Sequence, residues 1–193
     1  MSGTRRQLPM PNVTRITSLT QAHATLQHCW VKLSSFVQDY PASASSVSSS
    51  SSSSEGVTIF AERQRFQSWL EQWEVAFTEF LTNAMAAMNS DNITQSRIMK
   101  ANHLACTILA SDNDTTAERD FNAIVELAAA VLRSRTTDSP PKSDEDDKAP
   151  STTATTTTTT ALDVLDPLMV VISRCNVDVV RTRAAELLRA RHR

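Results

Sequence analysis

Apolar side chains recur at spacings of three and four residues between positions 66 and 88, over about six helical turns. The stripe consists of Phe66, Trp69, Leu70, Trp73, Phe77, Phe80, Leu81, Ala84 and Met88. A strand would require a period of two, so this segment buries its apolar side chains only as a long amphipathic helix. It carries half of the aromatic residues, and we predict that it is the scaffold of the core. A second interpretation is that this aromatic face binds a ligand.

The rest of the chain favours helices over sheets, since it has only two glycines and many helix-forming residues. A capping box at Ser18 and Gln21 predicts the start of a first helix, which ends before Pro41. A third helix, capped by Asn92 or Thr94, has an apolar face from Ile98 to Leu109, and a fourth has one from Phe121 to Leu132. We predict an all-α fold, an antiparallel bundle or array of about five to six helices.

Two tracts of biased composition interrupt this pattern. One is serine-rich, and the other combines Pro140-Pro141, an acidic run at residues 144–147 and repeated threonine. Because such tracts bury too little apolar area to offset the entropy of ordering, we predict disordered linkers at 41–57 and 134–161. Residues 1–15 read as a flexible tail, and residues 16–193 as a single helical domain interrupted by these linkers. The acidic run is interpreted as a solubilising spacer rather than an activation-type segment, because it lacks interleaved aromatic residues.

The C-terminal segment predicts two short amphipathic helices joined by a sharp turn. Asp166 is a candidate N-cap with Pro167 at the first helical position, and Asn176 is a candidate cap for the second helix. We refer to eight of its residues as the C-terminal motif: Pro167, Leu168, Arg174, Cys175, Arg181, Ala184, Leu187 and Leu188.

The C-terminal motif resembles the C-terminal helical region of fungal binuclear zinc-cluster (C6 zinc finger) transcription factors. Residues 16–22 and 100–105, followed by the apolar residues 108–110, resemble two upstream helical segments of that family and occur in the same order. The resemblance implies a regulatory, protein-interacting helical module in the nucleus. Its partners would be proteins of the transcriptional machinery or its regulators. Outside the resemblance, the sequence predicts only a soluble intracellular protein.

The chain departs from that family in two respects. Val177-Asp178 stands where relatives have Asp-Pro after the Arg-Cys pair. A binuclear zinc cluster needs six closely spaced cysteine thiolates, whereas the cysteines here are Cys29, Cys106 and Cys175. We therefore expect transcriptional regulation by protein contacts rather than direct DNA binding by this chain.

Residues suited to catalysis are few. The four histidines form no metal-binding pair on one helix face, and glycines at positions 3 and 56 build no phosphate-binding loop. No catalytic residue, cofactor or metal ligand is predicted, and the chain is not expected to be an enzyme. The alternative is a small helical enzyme or ligand-binding bundle that uses His103 and Cys106, which lie three residues apart on one helix. Their more ordinary role is packing in the core.

No apolar run reaches the length needed to span a bilayer, and no signal peptide is expected at the N-terminus. The formal net charge is −2, with basic ends and an acidic middle. A basic last helix could contact phosphate, but its carboxylates dilute the field, so a solvated helix face is the favoured interpretation.

Overall fold

A computed structural model describes residues 9–40, 53–111, 118–137 and 162–190 of the chain. Its elements are α1 (Leu19–Asp39), α2 (Ser53–Ala84), a 3-10 turn (Met85–Ala87), α3 (Ser90–Ala110), α4 (Glu118–Thr137), α5 (Leu165–Arg174) and α6 (Asp178–Ala190). Within these ranges there is no strand, which confirms the all-α prediction. No helix in the described part of the chain has the length and apolarity needed to cross a membrane.

The start of α1 confirms the predicted capping box. The side chain of Ser18 accepts a hydrogen bond from the backbone N–H of Gln21 at 3.1 Å, and Gln21 Oε1 accepts one from the backbone N–H of Thr17 at 2.9 Å. The glutamine thus reaches Thr17, one residue before the N-cap Ser18, and the serine satisfies an amide that the first turn leaves without a helical partner. α1 ends at Asp39, before Pro41 as expected.

The aromatic face of α2 lies inside the protein, where α1 and α3 pack against it. Trp73 is 0% and Trp69 7% exposed, and both indole N–H groups donate hydrogen bonds, to the Thr25 hydroxyl at 3.1 Å and the Pro11 carbonyl at 2.8 Å. The predicted core role of this stripe is therefore confirmed. Since other parts of the chain cover the face, the structure does not favour the ligand-binding interpretation.

α3 occupies the centre of the array, because it packs against α1, α2, α4 and α5. Its buried residues surround the helix rather than forming one stripe: Ile98, Met99, Ala101, Asn102, His103, Ala105, Cys106, Ile108 and Ala110. The small alanines allow neighbouring helices to approach closely, since the distance between helix axes depends on side-chain size at the contact. The sequence predicted α2 as the scaffold, but α3 makes the larger set of helix contacts.

Several predicted boundaries were wrong. Helix α2 includes residues 53–57 and α4 includes residues 134–137, both of which were assigned to linkers; residues 41–52 and 138–161 lie outside the described residues. Once buried turns have nucleated a helix, its extension costs little free energy, because each added residue forms one hydrogen bond. Residues 9–15 are not a loose tail, because Val13 is only 2% exposed; residues 1–8 are not described.

The start of α3 also differs from the prediction. Its N-cap is Asn89, whose side chain accepts a hydrogen bond from the backbone N–H of Asn92 at 2.8 Å. Asn92 and Thr94 were the predicted caps, but both lie inside the helix. The preceding helix, α2, ends at Ala84, before the last residue of the predicted stripe, Met88, which has an extended backbone between the 3-10 turn and α3.

Candidate functional site

The C-terminal motif forms a helical hairpin of α5 and α6 that packs on α4, while α5 also contacts α3. The predicted caps are wrong in detail. α5 starts at Leu165, so Asp166 lies within its first turn rather than before it, and α6 starts at Asp178, one residue later than an Asn176 cap requires. Partial burial, with the nearby Asp163 carboxylate as a second cause, raises the pKa of Asp166.

The motif residues divide between core and surface. Leu168 and Ala184 are fully buried, Cys175 is nearly so, and Pro167 is also buried. Leu187 and Leu188 are half-buried against the core, whereas both arginines, Arg174 and Arg181, are exposed. The apolar members therefore attach the hairpin to the rest of the protein, and the arginines face solvent.

The hairpin exposes both large apolar side chains and cations. Met169 is 54% and Val179 77% exposed. Arg181 is ion-paired with Asp178, while Arg174 has no ion-pair partner among the residues that the structure describes. We call Met169, Arg174, Val179 and Arg181 the hairpin surface.

Asp163, just before α5, connects the start of the hairpin to α3 and α4 through hydrogen bonds. Its backbone carbonyl accepts a hydrogen bond from the side-chain amide of Asn102 on α3 at 2.8 Å. Its carboxylate accepts one from the guanidinium of Arg135 on α4 at 3.0 Å and another from the backbone N–H of Val164 at 2.8 Å. Neither Asp163 nor Asn102 was assigned a role from the sequence, because their partners lie dozens of residues away.

A buried polar cluster joins α2 to α3. Nε2 of His103 lies 3.0 Å from the Leu70 carbonyl, and Nδ1 lies 3.2 Å from Oε2 of Glu74, without the alignment of a hydrogen bond. Lys100 is ion-paired with the other oxygen of the same carboxylate. The imidazole also stacks on Trp73, with ring centroids 5.2 Å apart.

Burial lowers the pKa of His103, although the Glu74 carboxylate acts in the opposite direction. The imidazole is therefore neutral near pH 7. Because a carbonyl only accepts hydrogen bonds, Nε2 must carry the proton that it donates to Leu70. His103 is thus a core residue that is held in one tautomer. A place in the core is the role that we favoured for it from the sequence.

Cys106 does not have the environment of a nucleophilic thiol. Burial and a hydrogen bond with the Cys29 thiol raise its pKa well above the ordinary value, whereas a reactive cysteine needs a lowered one. Cys29, Cys106 and Cys175 are all buried free thiols, as expected for small core residues. The geometry thus lends no support to catalysis by His103 and Cys106.

A cleft opens between α1, α3 and α4, with a volume of about 610 Å³. We call it the α1–α3–α4 cleft. Its apolar lining comes from Leu19, Ile98, Met99 and Leu162, and His23, Asp91 and Arg135 are among its polar groups. Sequence reasoning missed this feature, because its lining comes from segments that are far apart in the chain.

Across the described ranges, no group of three or more His, Cys, Asp and Glu side chains is arranged to hold a metal ion. His23, His28 and His103 lie within those ranges and His192 outside them. Comparison with family models, curated proteins and solved structures finds no match to this chain.

Proposed function

We propose that this chain is a regulatory helical module that acts in transcriptional control through protein contacts, similar in its C-terminal motif to fungal zinc-cluster transcription factors. The observation that carries the proposal is the division of that motif between core and surface. Its apolar residues hold the hairpin in place, so that the hairpin surface is presented on a rigid base. On this proposal the chain acts in the nucleus, and the insertions serve as spacers between the helices of an antiparallel array.

The chemistry of the hairpin surface suits a protein partner. Methionine and arginine are enriched at protein interfaces, and the hairpin exposes a valine as well as cations, so it offers both apolar contact and charge. Val179 is the most exposed of the large apolar side chains that the structure describes. Arg174 has no carboxylate to neutralise it among the described residues. The preferred partner is therefore a protein segment with acidic and apolar residues.

Direct DNA binding is a weaker interpretation of the same surface. Arg181 is paired with Asp178, and Arg183 with Glu126 of α4. Cations already paired with carboxylates release fewer counterions from a duplex, so they contribute less to phosphate binding. These pairs favour a protein partner over a nucleic acid.

The test compares Val179→Glu with Val75→Glu. Val75 lies on α2, is 69% exposed and provides a matched control away from the hairpin. The full-length protein, tethered to a DNA-binding domain upstream of a reporter, should change expression, and Val179→Glu should abolish at least about 80% of that change if the partner is held by a central contact. Val75→Glu should retain it.

Pull-down of each variant from nuclear extract, followed by identification of the bound proteins, provides the second readout. The wild type and Val75→Glu should recover transcription or chromatin proteins, and Val179→Glu should lose them. An inactive tethered wild type that recovers no such protein would overturn the proposal, as would equal activity of both variants.

A further inference from the structure

The α1–α3–α4 cleft has the size and lining of a small-molecule site. Its volume, about 610 Å³, falls within the range of about 300–1,000 Å³ that is typical of ligand pockets. Ile98, Met99 and Leu162 in its wall are buried by the surrounding helices, and together with Leu19 they form an apolar floor. The cleft is partly open to solvent, and a space of this size is able to accept a small ligand.

Four uncharged polar side chains in the cleft lack protein partners. Thr20, His23, Thr94 and Gln95 make no side-chain hydrogen bond or ion pair within the part of the chain that the structure describes. They contrast with Ser134 in the same cleft, whose hydroxyl donates to the Ala130 carbonyl at 3.0 Å. The unpartnered groups are therefore available to a ligand.

The charges in the cleft disfavour an anionic ligand. The guanidinium of Arg135 is paired with Asp163 at 3.0 Å, so its charge is compensated within the protein. Asp91 is exposed in the first turn of α3, where the helix dipole stabilises a carboxylate. Partial burial lowers the pKa of His23, so its ring is neutral near pH 7 and offers one donor and one acceptor.

We propose that the α1–α3–α4 cleft binds an uncharged amphiphilic small molecule, with an apolar body on the floor of Leu19, Ile98, Met99 and Leu162 and a hydroxyl or carbonyl group at His23. The hydroxyls of Thr20 and Thr94 and the Gln95 amide provide further hydrogen bonds. The proposal does not depend on a role in transcription, since it is carried by the cleft alone. In a regulatory module, such a ligand would act as an effector.

N-phenyl-1-naphthylamine, an uncharged dye whose fluorescence rises in apolar surroundings, serves as the probe. The full-length protein should give a saturable rise in fluorescence. Thr94→Trp occupies part of the cleft with an indole and should weaken dye binding by at least about tenfold, equivalent to about 1.4 kcal/mol. Ile93→Trp, one residue away on α3 and outside the cleft lining, should bind the dye like the wild type. Thermal unfolding of both variants verifies that each is folded.

Competition by small aromatic compounds tests the chemistry of the site and keeps the proposal falsifiable if Thr94→Trp does not fold. 1-Naphthol should displace the dye from the wild type at lower concentration than 1-naphthoate. His23→Leu should weaken displacement by 1-naphthol but not by naphthalene, because only the hydroxyl needs the imidazole. Absence of dye binding, equal binding by wild type and folded Thr94→Trp, or a preference for 1-naphthoate would each overturn the proposal.

Discussion

The side-chain amide of Asn102 donates a hydrogen bond of 2.8 Å to the backbone carbonyl of Asp163, across 61 positions of sequence. Asn102 is fully buried on the central helix, and its amide also donates to the Ile98 carbonyl at 2.9 Å. A buried amide that satisfies a distant backbone carbonyl determines where the chain enters α5. The position of the C-terminal hairpin thus depends on a residue outside the C-terminal motif.

Asn102→Leu should destabilise the protein by about 1–3 kcal/mol, because the carbonyl of Asp163 loses its donor while the side chain keeps its branched shape. Asn122→Leu is the control. The Asn122 amide likewise donates a hydrogen bond to a carbonyl four residues earlier, that of Glu118. Among the described residues, it makes no hydrogen bond to a distant segment of the chain. Urea denaturation should show a loss of at most about 0.5 kcal/mol for the control. Equal losses would contradict the role assigned to Asn102.

Trp73→Ala should cost about 3–5 kcal/mol, since it removes a fully buried indole that stacks on both Phe77 and His103. Trp30 is only partly buried against the same core, so Trp30→Ala should cost less by at least about 1 kcal/mol. Urea midpoints of the two variants measure the difference. A larger loss for Trp30→Ala would show that the core is centred elsewhere.

The stability of the protein should fall as the pH is lowered below about 6.5, the ordinary pKa of histidine. Burial lowers the pKa of His103 in the folded protein, so the unfolded chain binds the proton more tightly. The contribution of the neutral His103 to the free energy of unfolding is therefore fully present above pH 6.5, and it is lost as the pH falls towards the folded-state pKa. His23 acts with the same sign, because partial burial lowers its pKa too.

His103→Gln isolates the buried histidine in this pH effect, since glutamine can still donate to the Leu70 carbonyl but does not titrate. Urea denaturation at pH 7.5 and 5.5 should show a smaller loss of stability on acidification for the variant than for the wild type. A loss of the same size in both proteins would mean that the acid sensitivity arises at other groups.

The three cysteines should react slowly with Ellman's reagent in the native state. All are buried, and burial with the Cys29 hydrogen bond raises the pKa of Cys106, which reduces its thiolate fraction. Because the reagent reaches them only when the core opens, the rates should be at least about a hundredfold below those in denaturant. In guanidinium chloride, three thiols per chain should react promptly. Fast labelling of Cys106 in the native protein would contradict this arrangement.

Ser18→Ala should destabilise the protein by about 0.5–2 kcal/mol, because the first turn of α1 loses the side-chain acceptor for the Gln21 amide. Ser35→Ala provides the control at an exposed position inside the same helix, where alanine favours the helix. Thermal denaturation should separate the two variants. An unchanged melting temperature for Ser18→Ala would show that α1 does not depend on this cap.

The surface and the clefts of this protein were less predictable than its helices. The C-terminal motif was recognisable from sequence, and its local pattern was sufficient to predict two helices. The cap positions at Asp166 and Asn176 were wrong, because packing of Val164 and Leu168 into the core starts α5 earlier than its side-chain cap suggests. The role of Asp163 follows from no local sequence pattern, because it depends on hydrogen bonds with Asn102 and Arg135, which are distant in the sequence.

By itself the sequence determined that this chain is helical, which segments form its amphipathic helices, and that Trp69, Trp73 and the cysteines belong in the core. These properties follow from local periodicity and capping, which act within a few residues. Only the tertiary structure decided that α3 is the central helix, that Asp163 anchors the hairpin and that the α1–α3–α4 cleft exists. Each of these arises where side chains distant in sequence meet, and the free energy of such contacts depends on a geometry that no local pattern contains.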